Sequence, residues 1–200
     1  MSLISKRAPG GRRAPEVLDH RWVDRAVAEY LARYSSTRAH LRDKLMMRVR
    51  TAEIRGAEVR PEIETLIDKA LEKHVGLGTL NDAAWAESKA STLTRRGIAG
   101  RVVTQRLRER GVEGEASGEA LATVADSLDP AVRELAAACA WMRRKRAGPF
   151  KREAFGREKP DPGGRKILAA MARGGFSYDV CSRALRLDLE EAEELIGRLG

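Results

Sequence analysis

The stretch Leu80–Val112, LNDAAWAESKASTLTRRGIAGRVVTQRLRERGV, decides the fold. It reads as two helices with a tight joint. Asn81 or Asp82 supplies the N-cap of the first, because a short side-chain oxygen accepts a bond from an otherwise orphaned amide. Trp85, Ala86, Lys89, Ala90 and Leu93 recur near the helical period, and Gly97 provides a left-handed stop. The second helix spans roughly Gly100 to Arg110. Val103 and Leu107 mark its inner stripe, Arg101, Arg106, Arg108 and Arg110 surround it, and Gly111 ends it.

This short basic helix, closed by glycine and a hydrophobe, recurs. Gly111-Val112 stands 10 residues before Leu121, and Gly175-Phe176 stands 10 before Leu185. Leu107 precedes Leu121 by 14 residues, and Met171 precedes Leu185 by 14. Ala120-Leu121 matches Ala184-Leu185, and Ala70-Leu71 marks a further copy, in which Leu45 precedes Leu71 by 26, an insertion of about 12 residues. Chance would supply Ala-Leu pairs in an Ala-rich chain, but not the shared stop, hydrophobe and spacing. The pattern predicts an all-α chain, a tandem array of three degenerate three-helix (helix-turn-helix-like) repeats, elongated and curved. The expected divisions are a flexible basic tail at 1–17 and a first repeat at 18–76 with its insertion near 50–60. A second repeat at 80–127 and a third at 129–200 follow, the third with a basic loop near 147–163 and a C-terminal capping helix.

The same periodicity places the other elements. Asp19 opens a helix with Trp22, Val23, Ala26, Val27, Tyr30 and Leu31 on one stripe. Thr37 caps a second helix, which either runs through Thr51–Arg60 or frays there. Pro61 suits the first turn of a third, with Ile63, Ile67 and Leu71 inward. The middle repeat closes with a helix near Glu115–Ala125. Asp129-Pro130 starts another, with Val132, Leu135, Ala136, Cys139 and Met142 inward. A helix at Arg165–Arg173, one capped by Ser177, and a last one capped by Asp188 complete the chain. In that last helix Leu189, Ala192, Leu195, Ile196 and Leu199 face the core.

Of the 200 residues, 42% are hydrophobic, 34% charged and only 4% aromatic, which suits small, strip-like cores. The formal charge of +9 points to an anionic partner: nucleic acid foremost, an acidic protein surface or an anionic membrane otherwise. No apolar run approaches membrane-spanning length and no signal-peptide core opens the chain, so it reads as neither membrane-spanning nor secreted. Cys139 and Cys181 read as reduced core residues of a cytoplasmic protein.

Catalysis finds no constellation. His20, His40 and His74 fall in different elements, and no phosphate loop, nucleophile elbow or paired-carboxylate motif is present. Glu190, Glu191, Glu193 and Glu194 read as a solvated helix face. We therefore expect no enzyme, no metal and no cofactor. The binding candidates are two basic groups. Arg95, Arg96, Arg101, Arg106, Arg108 and Arg110 form the first, and Arg143, Arg144, Lys145, Arg146, Lys151 and Arg152 the second. The arginines of Gly100–Arg110 point around its circumference and Gln105 is its only amide, which suits phosphates or an acidic groove with little base reading. A curved array would present both groups on one concave face. A free-standing, weakly sequence-specific DNA-binding protein of helix-turn-helix type is the alternative.

Three segments carry a family resemblance: LNDAAWA at Leu80–Ala86, RRGIAGRVVTQRLRERGV at Arg95–Val112 and GGFSYDVCSRAL at Gly174–Leu185. Together with YLARYSSTRAHLRDKL at Tyr30–Leu45, they make the chain resemble the RecX family of RecA recombinase regulators, over about Trp22 to Leu185. His40 stands where that family often has Glu, which removes a capping box with Thr37. The resemblance implies a bent array of three-helix units lying in the groove of the RecA–DNA filament. It also implies a mostly inhibitory action on filament growth, strand exchange and coupled ATP hydrolysis, by a non-enzymatic monomer with weak, non-specific affinity for single- and double-stranded DNA. The family has no short binding motif to transfer, so the site residues above rest on charge and placement.

Overall fold

A computed structural model of the chain describes residues 17–151 and 164–200. Of the basic tail expected over 1–17 only Val17 falls within them, and of the loop expected over 147–163 only Ala147–Lys151; the rest of both lies outside the described residues. The fold is all-α and divides into two compact units. Of the described residues, one is built from Val17–Tyr34 with Leu41–Leu80, the other from Ser35–His40 with those of 81–151 and 164–200.

In the first unit, α1 (His20–Leu31) starts where the Asp19 carboxylate accepts the Trp22 amide at 3.0 Å. It packs on α3 (Ile63–Gly76), and α2 (Arg38–Ile54) contributes Leu41, Leu45 and Val49, four residues apart and so on one face. Leu18, Leu41, Leu45, Ile67, Leu71 and Leu80 are fully buried, each burial contributing about 1.5–3 kcal/mol. At the rim, Arg42 Nε meets Asp68 at 2.7 Å and the Arg48 guanidinium lies 5.4 Å from the Trp22 ring centroid.

The segment Thr51–Arg60 resolves into three parts. α2 continues to Ile54, Gly56 turns the chain in the left-handed region, and β2 (Glu58–Val59) then pairs in parallel with β1 (Val17–Leu18). Periodicity could not show this two-residue ladder, since alternation needs a longer run. It places Val17 in a strand and moves Pro61 outside the helix. Arg60 N still bonds to Leu18 O at 3.3 Å, so α3 begins only at Ile63.

The second unit holds α4 (Asp82–Arg95), α5 (Gly100–Arg108), α6 (Gly114–Ala122), α7 (Pro130–Lys145), α8 (Arg165–Arg173), α9 (Tyr178–Ala184) and α10 (Leu189–Gly197). Asn81 caps α4 through the Ala84 amide, while Asp82 accepts the Arg38 amide at the start of α2. Both candidate caps are therefore used, on different helices. Glycine stops recur with one geometry. The amides of Ile98, Val112 and Phe176 reach back to the carbonyls of Leu93, Leu107 and Met171 at 3.1, 3.2 and 3.2 Å, after Gly97, Gly111 and Gly175 at positive φ. α5 and α6 end earlier than expected, at Arg108 and Ala122, because the turn that satisfies the last carbonyls already consumes Glu109–Gly111 and Thr123–Ala125. Lys89 is exposed rather than part of the α4 stripe, and Leu189 is half exposed.

α7 departs furthest from expectation. It is buried continuously from Leu135 to Met142, not along one stripe. Its run of alanines lets α4, α9 and α10 approach closely from several sides. Nearly buried Arg133 donates Nη1 to the carbonyls of Ala122 and Val124, satisfying the end of α6.

Glu134 caps α5 from another helix. Ala99 at the N-cap position has no oxygen to offer, and the Glu134 carboxylate accepts the Gly100 amide at 3.0 and 3.3 Å. Burial pushes this carboxyl up, against the Gly100 bond and the Arg133 charge. A carboxyl raised in the fold above its ordinary 4.5 holds its proton more tightly there, so its contribution to stability falls as pH rises through that window. Glu134→Gln keeps an acceptor and abolishes the titration. The stability of the wild type relative to this variant, from urea midpoints, should therefore increase as pH falls from neutral towards 4.5. A pH-independent difference would show that burial does not perturb this carboxyl.

Candidate nucleic-acid interface

The structure brings together some members of the two basic groups and separates others. Arg106 on α5, Arg144 and Lys145 at the end of α7, and Lys166 and Arg173 on α8 ring an open cleft of about 690 Å³ in the second unit. Ile98, Val102, Trp141, Ile167 and Ala170 form its apolar floor. Helical spacing explains the layout. Val102 and Arg106 are four residues apart, Trp141 lies three and four before Arg144 and Lys145, and Ala170 lies four after Lys166 and three before Arg173. Each helix thus offers at least one apolar residue to the floor and at least one cation to the rim. Arg146 ends α7 in the left-handed conformation, and the Ala147 amide bonds Met142 O at 3.0 Å, which fixes where the basic end stops. Among the described lining residues none is acidic, so the cations reinforce one another's field.

Several predicted arginines are tied into the fold instead. Arg101 Nε donates to Gly175 O at 2.6 Å, joining α5 to the turn after α8. Arg110 Nη1 lies 2.9 Å from His40 Nε2, and its carbonyl accepts the Thr37 hydroxyl, which also caps α2 through the His40 amide. The residue that removes the capping box thus makes a contact of its own. Arg95 Nη1 reaches Gly200 O at 3.2 Å, and Arg143 pairs with Glu193 at 3.0 Å, both beside a smaller recess of about 290 Å³. Arg96, Arg108, Arg146 and Lys151 are exposed and line neither recess. Arg152 lies outside the described residues.

Lys166 and Arg173 are rim residues that sequence reasoning missed. Their spacing around Ala170 on the short α8 carried the signal, overshadowed by the denser run at Arg143–Arg146. The glutamates of the last helix have structural partners. Glu191 completes a capping box with Asp188, Glu193 pairs with Arg143, and Glu194 meets Arg198 at 2.6 Å. Among the described residues, no three His, Cys, Asp or Glu side chains gather as a metal site would require. Burial pushes the Cys139 thiol up to about 11, and Cys181 is raised for the same reason. No helix among the described residues is long and apolar enough to cross a membrane.

No family model matches the chain. Regulatory protein RecX of Myxococcus xanthus is 34% identical over 181 residues, which cover 90% of this chain and 92% of that protein. The chain belongs to the RecX family. Regulatory protein RecX of Thermobifida fusca is 33% identical over 185 residues, covering 91% of this chain and 86% of the relative. The Agrobacterium fabrum protein of that name is 27% identical over 176 residues, 88% of each. The crystal structure of RecX from Lactobacillus salivarius matches 88% of this chain and 97% of its own with a TM-score of 0.55; at 19% identity, that likeness speaks for the fold alone. Family membership gives the chain a regulatory role, as the relatives' shared name states.

Proposed function

We propose that this chain is a non-enzymatic regulator, mostly inhibitory, that binds the groove of the RecA–DNA filament and modulates filament assembly, strand exchange and the coupled ATPase. It acts as a cytoplasmic monomer without cofactor. The observation that carries this reading beyond family membership is the cationic cleft, where α5, α7 and α8 direct five positive side chains to one place over an apolar floor. A filament groove offers phosphates and acidic protein surface side by side, and several modest contacts along one ligand add through effective concentration. The bare DNA-binding alternative uses the same charge but needs no recombinase.

A titration of labelled single-stranded DNA with and without RecA separates the two. We expect markedly tighter binding to the filament than to the same strand alone. Equal affinities would favour the free-standing DNA-binding protein.

A further inference from the structure

We infer that the cleft between α5, α7 and α8 is a single-strand subsite, which takes one nucleotide base on its apolar floor while the flanking phosphates meet the rim cations. The inference rests on the proposed encounter with a nucleoprotein partner and names which part of it enters this cleft.

The chemistry of the lining is the first argument. Among the described lining residues, the polar side chains are Arg106, Arg144, Lys145, Lys166, Arg173 and the Trp141 indole, and every one of them is a donor. An extended peptide would bring backbone N–H groups that require acceptors. A nucleic-acid strand brings phosphate and sugar oxygens instead, which match a donor-only rim.

Size gives the second. The cleft's volume of about 690 Å³ far exceeds what a phosphate needs and lies in the range of small-ligand sites. A duplex presents phosphates outward with its bases stacked inside, and so leaves the floor of Ile98, Val102, Trp141 and Ile167 uncovered. A single strand can turn one base out onto that floor. With no acceptor side chain among its described lining residues to read exocyclic amines, the subsite takes any base, as sequence-tolerant stacking platforms do.

The test uses the full chain and three labelled oligomers of equal phosphate count: oligo(dT), an abasic strand and a duplex. At matched salt, oligo(dT) should bind roughly 10-fold tighter than the abasic strand, with the same salt slope, and more tightly than the duplex. Ile167→Gln should erase the difference between oligo(dT) and the abasic strand while abasic binding persists. The wild type's tryptophan fluorescence should be quenched by oligo(dT) but not by the abasic strand, and the quenching should vanish in Trp141→Phe, a variant that retains the bulk of the floor. Equal affinity for the oligo(dT) and abasic strands, or quenching that survives in Trp141→Phe, would overturn the inference. So would an Arg144→Glu/Arg173→Glu variant that loses filament binding but keeps bare-strand affinity, since the cleft would then hold a protein surface. If base discrimination persists while the filament and the bare strand bind equally, the subsite stands and the filament reading fails.

Discussion

Gly97→Ala should destabilise the second unit by about 3 kcal/mol or more, lowering its melting temperature by roughly 10 °C. Gly97 has φ +70°, where a Cβ costs about 1 kcal/mol by itself. The larger part comes from the neighbour. A Cβ built there would lie 2.5 Å from Trp141 Cα and 2.7 Å from the Ala140 carbonyl carbon. Both are backbone atoms of a helix held on several sides, so α7 must move as a whole or α4 must end elsewhere. Forced overpacking of this kind adds about 1–3 kcal/mol. Gly78→Ala, in the first unit, gives the conformational part alone: Gly78 also sits at φ +70° but has open space where the Cβ would go. Thermal unfolding of both variants gives the comparison. Similar losses would mean that the close approach of α4 to α7 relaxes at little cost.

That position also shows how much of the fold the sequence discloses. Gly97 is legible as a stop because a left-handed residue followed by a hydrophobe is a local event, closed by the bond from Ile98 N to Leu93 O. The caps Asp19, Asn81, Ser177 and Asp188 are legible for the same reason. The tightness against Trp141 is not local. Neither is the burial of α7 on all sides, which depends on what surrounds it; the alanines from Ala136 to Ala140 permit that burial without announcing it. The β1–β2 ladder stays hidden because two residues per strand carry no period. Glu134 acting as the cap of α5 is invisible for a similar reason, since the partners lie 34 residues apart.

The candidate interface divides along the same line. Clusters of arginine are visible in the sequence, but an exposed arginine that binds a partner and one that holds a turn look alike there. Arg101 and Arg110 sit on the same short segment as Arg106, yet the first two bond to Gly175 and His40 while Arg106 borders the cleft. The separation is a matter of angle around α5. Five residues from Arg101 to Arg106 turn the helix through more than a full circle, so the neighbours of each depend on the packing of α8 and the turn after it.

Reversing Arg106, Arg144 and Lys145 together to Glu should weaken filament binding on the order of 100-fold at 0.15 M salt. All three side chains are exposed at the rim of the cleft, so far-UV helical content should hold. Each phosphate left without its cation takes roughly 0.7–0.9 off the salt slope, giving a total fall of about 2 to 3. Arg143→Glu is the informative contrast, although Arg143 adjoins Arg144 in sequence. It faces Glu193, so its reversal sets two carboxylates against each other and loosens α10. The pair is about half exposed, so the cost in stability should stay below about 1 kcal/mol. Filament affinity and salt slope should change little. Arg12→Glu/Arg13→Glu reverses two charges, against three in the cleft, outside the described residues and tests whether any basic segment would serve. It should lower affinity far less than the cleft reversals. Equal losses per reversed charge from the cleft and tail variants would mean that the chain's net charge acts as a whole, with no defined face to direct it.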